Sequence, residues 1–227
     1  MKKGILFLLF LIRVVSIFAQ HKALGSWNII NLKGTLSDKW SFFAEGQIRS
    51  LKYYDDFHYH EFKGGMTFEV NKLFRVSLAA GKYDTYKEGG DFLLPKNNDE
   101  FRIWPQLILI QTLGKFFIEQ RGRVEMRFST NGYRNRFRYR LGLNYPFGKN
   151  THGFKPFQFS VSNEVFFTDN EPYFERNRFF LSANYRFSPL FSTQLGYMRQ
   201  FDYKINDEIG RTFFLIGAYF DVDFRNK

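Results

Sequence analysis

From Trp40 to Phe224 the chain carries segment after segment in which polar and apolar side chains alternate. The run 134–145 shows it most clearly. Arg134, Arg136, Arg138, Arg140 and Asn144 fall on one side of an extended backbone, and Phe137, Tyr139, Leu141, Leu143 and Tyr145 on the other. A strand has a side-chain period of two, so such a segment has one wet face and one apolar, aromatic face. Aromatic residues make up 21% of the chain, with 31 Phe and 13 Tyr, yet mean hydropathy is −0.36. The aromatics are interleaved with Arg, Lys, Asn, Ser and Glu, so averages cancel and only the period reveals the pattern. Long alternating strands of this kind are the mark of a transmembrane β-barrel.

The N-terminus reads as a secretory signal over residues 1–19, leaving 20–227 as one barrel domain. Lys2 and Lys3 supply the charged region, Gly4 to Ile12 the apolar region, and Ser16 to Ala19 the small-residue exit. Arg13 cuts the apolar run well below the roughly 20 residues of a membrane-spanning helix. There is no Cys, hence no disulfide, thiolate metal site or lipid-anchor cysteine. Net charge is +11. Nucleic acid is not the expected partner, because the signal exports the chain and the Arg residues alternate along strands instead of clustering.

Ten segments from Trp40 onward read as strands, with a weaker one at 25–34. The expectation is an all-β, antiparallel up-and-down barrel of about 10–12 strands. An odd count is awkward, since bacterial single-chain barrels have even numbers. Either 25–34 closes the wall, a further strand is hidden, or 25–34 lies in the lumen. Asn71-Lys72, Leu113-Gly114-Lys115 and Ser188-Pro189 read as tight periplasmic turns, with 35–39 and 148–155 somewhat longer connections on the same side. Polar segments 51–59, 84–99, 129–133, 169–175 and 204–210 read as longer outer loops. Of these, 84–99 is the candidate lid or surface-binding loop. A soluble sandwich or lipocalin-like barrel would alternate as well, with the apolar face inward. Strand length, the Phe/Tyr character of the apolar face and the turn pattern favour the membrane.

Three stretches carry a family resemblance: Asn98-Asp99-Glu100-x-Arg102-x-Trp104-x-Gln106-Leu107, Arg121-x-Arg123-x-Glu125-x-Arg127-Phe128, and Arg136-x-Arg138-Tyr139-Arg140. Asn163-Glu164-Val165-Phe166, Asn177-Arg178 and Gly196-Tyr197-Met198 continue it. Together they resemble the domain of unknown function 2490 family. The resemblance implies a Bacteroidetes outer-membrane barrel and transfers no catalytic residue. Pro105, Gln120 and Gly122 depart from the family pattern. Pro105 cannot donate to a ladder, which predicts a bulge or edge position.

With the apolar face on lipid, the lumen is expected to be lined by Arg102, Trp104, Gln106, Glu119, Arg121, Arg123, Glu125, Arg127, Arg134, Arg136, Arg138, Arg140, Glu164, Arg178 and Arg186. Arg suits this place, because its planar fork binds carboxylates bidentately and stays charged. Such residues form a structural ion-pair network or a narrow passive channel favouring a small anionic solute. An alternative is a lipid-modifying enzyme at His58 and His60, near Asp55, Asp56 and Glu61. No Ser sits at a convincing spacing and no metal or cofactor set is apparent, so the chain is not expected to be an enzyme. Trp27, Trp40, Tyr53, Tyr54, Tyr83 and Tyr86 read as interfacial aromatics. The expected location is the bacterial outer membrane, with outer-membrane lipid and, during insertion, the barrel-assembly machinery as partners.

Overall fold

The computed structural model describes residues 24–149, 153–204 and 207–225. The proposed signal segment, His21 and His152 lie outside these. Eleven strands account for almost all the described chain: β1 Gly25–Thr35, β2 Trp40–Lys52, β3 Asp55–Glu69, β4 Phe74–Lys87, β5 Leu93–Leu113, β6 Phe116–Ser129, β7 Gly132–Phe147, β8 Phe157–Thr168, β9 Phe174–Arg186, β10 Phe191–Lys204 and β11 Asp207–Asp223. Each pairs with its sequence neighbours, and β1 closes the wall against β11. The expectation of an all-β closed barrel of 10–12 strands therefore holds.

The odd count is resolved at the seam. Segment 25–34 belongs to the wall, pairing antiparallel with β2 and parallel with β11. With an odd number of alternating strands, the first and last must run the same way. The up-and-down wall is thus antiparallel everywhere except this one joint. The chain enters β1 at one end of the barrel and leaves β11 at the other, termed here the entry end and the exit end.

Partners climb around the wall. From Ile30 in β1, successive partners are Gly46, Phe62, Lys82, Phe101, Phe128 and finally Tyr133, which lies near the entry end of β7. This stagger is what closing a tilted sheet requires.

The apolar face points outward. Phe62, Leu78, Phe101, Leu107, Phe137 and Leu195 are exposed, Phe62 by 64%, while Glu and Arg face the interior. A soluble barrel has the opposite arrangement, so this wall is built for lipid.

Two expectations are corrected. The polar segments 51–59 and 84–99 are not long loops, because β2 to β5 run on as strands, leaving only Tyr53-Tyr54 and residues 88–92 as connections. Asp56 Oδ1 accepts the amides of Gly89 (3.0 Å) and Gly90 (3.1 Å), Asp91 Oδ1 accepts Phe57 N at 2.8 Å, and Phe57 O accepts Phe92 N at 2.7 Å. These bonds bind the β4–β5 hairpin tip to the β2–β3 turn. Pro105 makes no bulge either. The β5–β6 ladder lacks partners at Trp104 and Pro105 and resumes in the same register. A single missing donor interrupts the ladder without moving it.

At the exit end the tight turns follow their residue chemistry. Asn71 Oδ1 accepts the amides of Leu73 and Phe74, Ser188 Oγ those of Leu190 and Phe191, and Gly114 takes a positive φ of 59°.

Candidate functional site

The lumen encloses the main cavity of the described residues, and its two halves differ. In the entry-side half every strand contributes a buried inward side chain, among them Trp27, Arg49, Glu61, Tyr83, Glu100, Glu125, Arg136, Phe166, Arg178, Gln200 and Phe213. This ring is the girdle. Glu125, 0% exposed, accepts Arg136 Nε (2.8 Å) and Nη2 (2.5 Å), Arg138 Nη1 (2.5 Å) and Arg123 Nη1 (3.3 Å). Glu100, 1% exposed, takes the forks of both Arg102 and Arg127. Glu164 accepts Arg138 Nη2 at 2.9 Å and Arg121 Nη2 at 2.8 Å. Glu175 takes Arg136 Nη1 at 3.1 Å, and Glu61 takes Arg49 at 2.9 Å and Lys63 at 2.5 Å.

The register explains why so many carboxylates are needed. Arg121 lies opposite Arg140, Arg123 opposite Arg138, and Arg127 opposite both Arg134 and Arg102. Like charges directly opposite are destabilising. Glu100, Glu125 and Glu164 sit between these arginines and relieve the repulsion with charge-assisted bonds.

Aromatic rings fill the rest of the girdle. Phe166 has the guanidinium groups of Arg138, Arg178, Arg136 and Arg176 at 4.6, 5.0, 5.4 and 5.7 Å from its ring centre. Trp27 carries Arg49 at 3.4 Å and donates Nε1 to Gln47 at 2.7 Å. Such contacts add cation–π attraction where water is excluded. Trp27 also packs with Met198, Phe213 and Leu215, and Trp104 with Tyr59, Ala79 and Tyr83. Trp27 and Tyr83 are therefore lumen residues and not interfacial ones; Trp40, Tyr53 and Tyr54 are exposed.

Below the girdle, the exit-side half is open. A main cavity of about 890 Å³ is lined there by Lys33, Thr35, Lys39, Glu69, Arg75 and Arg140, and threads past the girdle as far as His58, Asn98 and Arg211. A second space of about 480 Å³, lined by Glu119, Asn144, Lys155, Gln158 and Arg186, shares Lys33 and Arg140 with it.

Of the residues singled out in the sequence, Arg102, Gln106, Arg121, Arg123, Arg127, Arg134, Arg136, Arg138, Arg140, Glu164 and Arg178 border the main cavity, and Glu119 and Arg186 the second. Trp104 and Glu125 are packed within the girdle. Phe166 was readable two residues beyond Glu164 on the same face. Glu175 was not, because a register shift at Phe166/Phe167 turns it inward.

His58 and His60 do not meet. His58 borders the lumen, whereas His60 contacts Phe62 and Phe92, and its Nε2 lies 3.1 Å from Tyr86 Oη and 3.7 Å from Asp84 Oδ2. A backbone irregularity in this stretch shifts the pairing from Arg49–Tyr59 to Ser50–Phe57. Among the described residues no three His, Asp or Glu converge in a way that would hold a metal ion.

Fold and lumen together define a membrane β-barrel with an apolar exterior and a charged, partly filled interior. The family model "Protein of unknown function (DUF2490)" matches residues 24–210, and the chain belongs to that family. A search of the curated proteins returns no match. Among solved structures, LpxR from Salmonella typhimurium is similar at 9% identity with a TM-score of 0.49, over 80% of this chain and 84% of that one.

Proposed function

We propose that the protein is an integral outer-membrane barrel, its exit-end turns in the periplasm, whose lumen is constricted by the girdle in its entry-side half. Its role is then structural or binding, without enzymatic activity and without the free diffusion of a general porin. The observation that carries this is the girdle: a buried inward side chain from each of the eleven strands, with Glu100, Glu125 and Arg136 at most 3% exposed. The hairpin tip adds to it, since Glu88 pairs with Arg211 of β11 at 2.5 Å, from the opposite side of the entry mouth. Conductance across planar bilayers tests the reading. Purified protein should give no steady porin-like current, and Glu125→Ala should introduce a leak. A large steady current from the unaltered protein would overturn it. Heat-modifiable gel mobility and outer-membrane fractionation test the location.

The outward face of β3 to β5 supports a second reading. His60, Asp84 and Asp99 are successive cross-strand partners there, with Lys96 Nζ 3.1 Å from Asp84 and 3.2 Å from Asp99. A histidine–carboxylate pair facing lipid headgroups suits lipid modification. Lipid turnover abolished by His60→Ala would favour this reading, and turnover unchanged by it would remove it.

A further inference from the structure

The arginines of the lumen are unequally served with acceptors. In the girdle, Arg127, Arg136 and Arg138 each use Nε, Nη1 and Nη2 in hydrogen bonds to carboxylates. On the exit side, Arg75, Arg121 and Arg140 do not. Arg121 donates only Nη2, to Glu164, and Arg140 only Nη2, to Glu119. Arg75 faces Glu69 at 3.4 Å without the geometry of a hydrogen bond. The Nε atoms of all three are buried and have no partner, a state shared in the girdle by Arg49, whose guanidinium lies over Trp27.

These three arginines lie on one line. Arg75 pairs with Ile108, Ile108 with Arg121, and Arg121 with Arg140, so the row crosses β4 to β7 in continuous register. All three border the 890 Å³ cavity, as does Lys33, which has no carboxylate in ion-pair range among the described residues. A guanidinium offers five N–H donors, and an unsatisfied buried donor is costly. A row of under-served guanidiniums on an open cavity is an acceptor-poor surface of positive charge.

We propose that the exit-side half of the lumen is a binding vestibule for a small polyanion carrying two or more carboxylate or phosphate groups. The ligand enters from the exit end and spans Arg75, Arg121 and Arg140, with Lys33 facing them. The inference rests on the constricted-barrel reading, because the girdle narrows the lumen behind the vestibule and a solute is held there instead of passed.

Calorimetric titration of the folded protein in detergent micelles, with citrate and pyrophosphate as probes, tests this. At least one probe should bind saturably at one site, more weakly as salt is raised. The double variant Arg75→Gln/Lys33→Gln should weaken binding about tenfold, the loss of one to two charge-assisted contacts. Lys87→Gln, at the entry end and outside both cavities, should leave it unchanged. Preserved heat-modifiable mobility shows that each variant is folded. No saturable binding of either probe, or equal affinity in the double variant, overturns the vestibule. A large steady conductance would instead overturn the constriction beneath it, so the two failures read differently.

Discussion

Glu125 and Glu119 lie on the same strand and the same face, six residues apart, in different surroundings. Glu125 is ion-paired with four arginines, three of them by hydrogen bonds, and excluded from water; Glu119 pairs with Arg140 alone and its side chain remains 26% exposed. The neighbours explain the difference. Around Glu125 the lumen is filled by Trp104, Phe166 and Arg side chains stacked on them, whereas Glu119 looks across at Asn144, Gln158 and Lys155. Large rings displace water, and a carboxylate without water must find all its donors in the protein. Around Glu125, aromatic filling and dense ion pairing thus go together.

The strongest way to break this contrast is to remove Glu125. Glu125→Ala leaves Arg123, Arg136 and Arg138 short of a buried partner and should lower folding stability by about 3–5 kcal/mol. The urea midpoint of reversible folding in lipid vesicles measures it, and a loss matching that of Glu119→Ala would erase the distinction between the halves. Next comes Phe166→Ala, which strips the ring from among four guanidiniums and should cost about 3 kcal/mol in the same assay. Glu119→Ala should cost about 1 kcal/mol or less, as partly exposed pairs do.

The smallest effect lies outside the membrane. In the β8–β9 connection, the Asn135 side chain and amide donate to Asp169 and hold its carboxyl below the ordinary aspartate value. Its contribution is therefore fully present above an unfolded value of about 3.9 and fades as pH falls through the lower folded one. The Asn135 amide resonance should titrate with a midpoint below the ordinary range. A midpoint at or above that range would show that the contact does not form.

The wall and the inward arginines were legible because both follow from a period of two, which is local. Depth along the barrel was not. Whether Glu119 or Glu125 is buried depends on the stagger accumulated around eleven strands, and no single segment encodes that. In β11, Phe213 points inward and Phe214 outward, so alternation gave no signal for the apolar cluster around Trp27. Residues 84–99 read as a loop from composition. Strands β4 and β5 run into them, and the remaining tip, residues 88–92, is pinned by distant contacts such as Arg211–Glu88 and the Gly89 and Gly90 amides on Asp56.

The parallel joint between β1 and β11 bears on the order of assembly. It brings residues 25–35 against 213–223, pairing almost the first described residues with almost the last. Every other wall contact joins consecutive strands and forms as a hairpin. Non-local pairing is slow because loop closure must precede its reward. Parallel pairing is also slightly weaker per residue. Until β11 is in place, β1 keeps an unpaired edge, so the barrel matures last at its seam, and a chain stopped short of Phe213 is left as an open sheet.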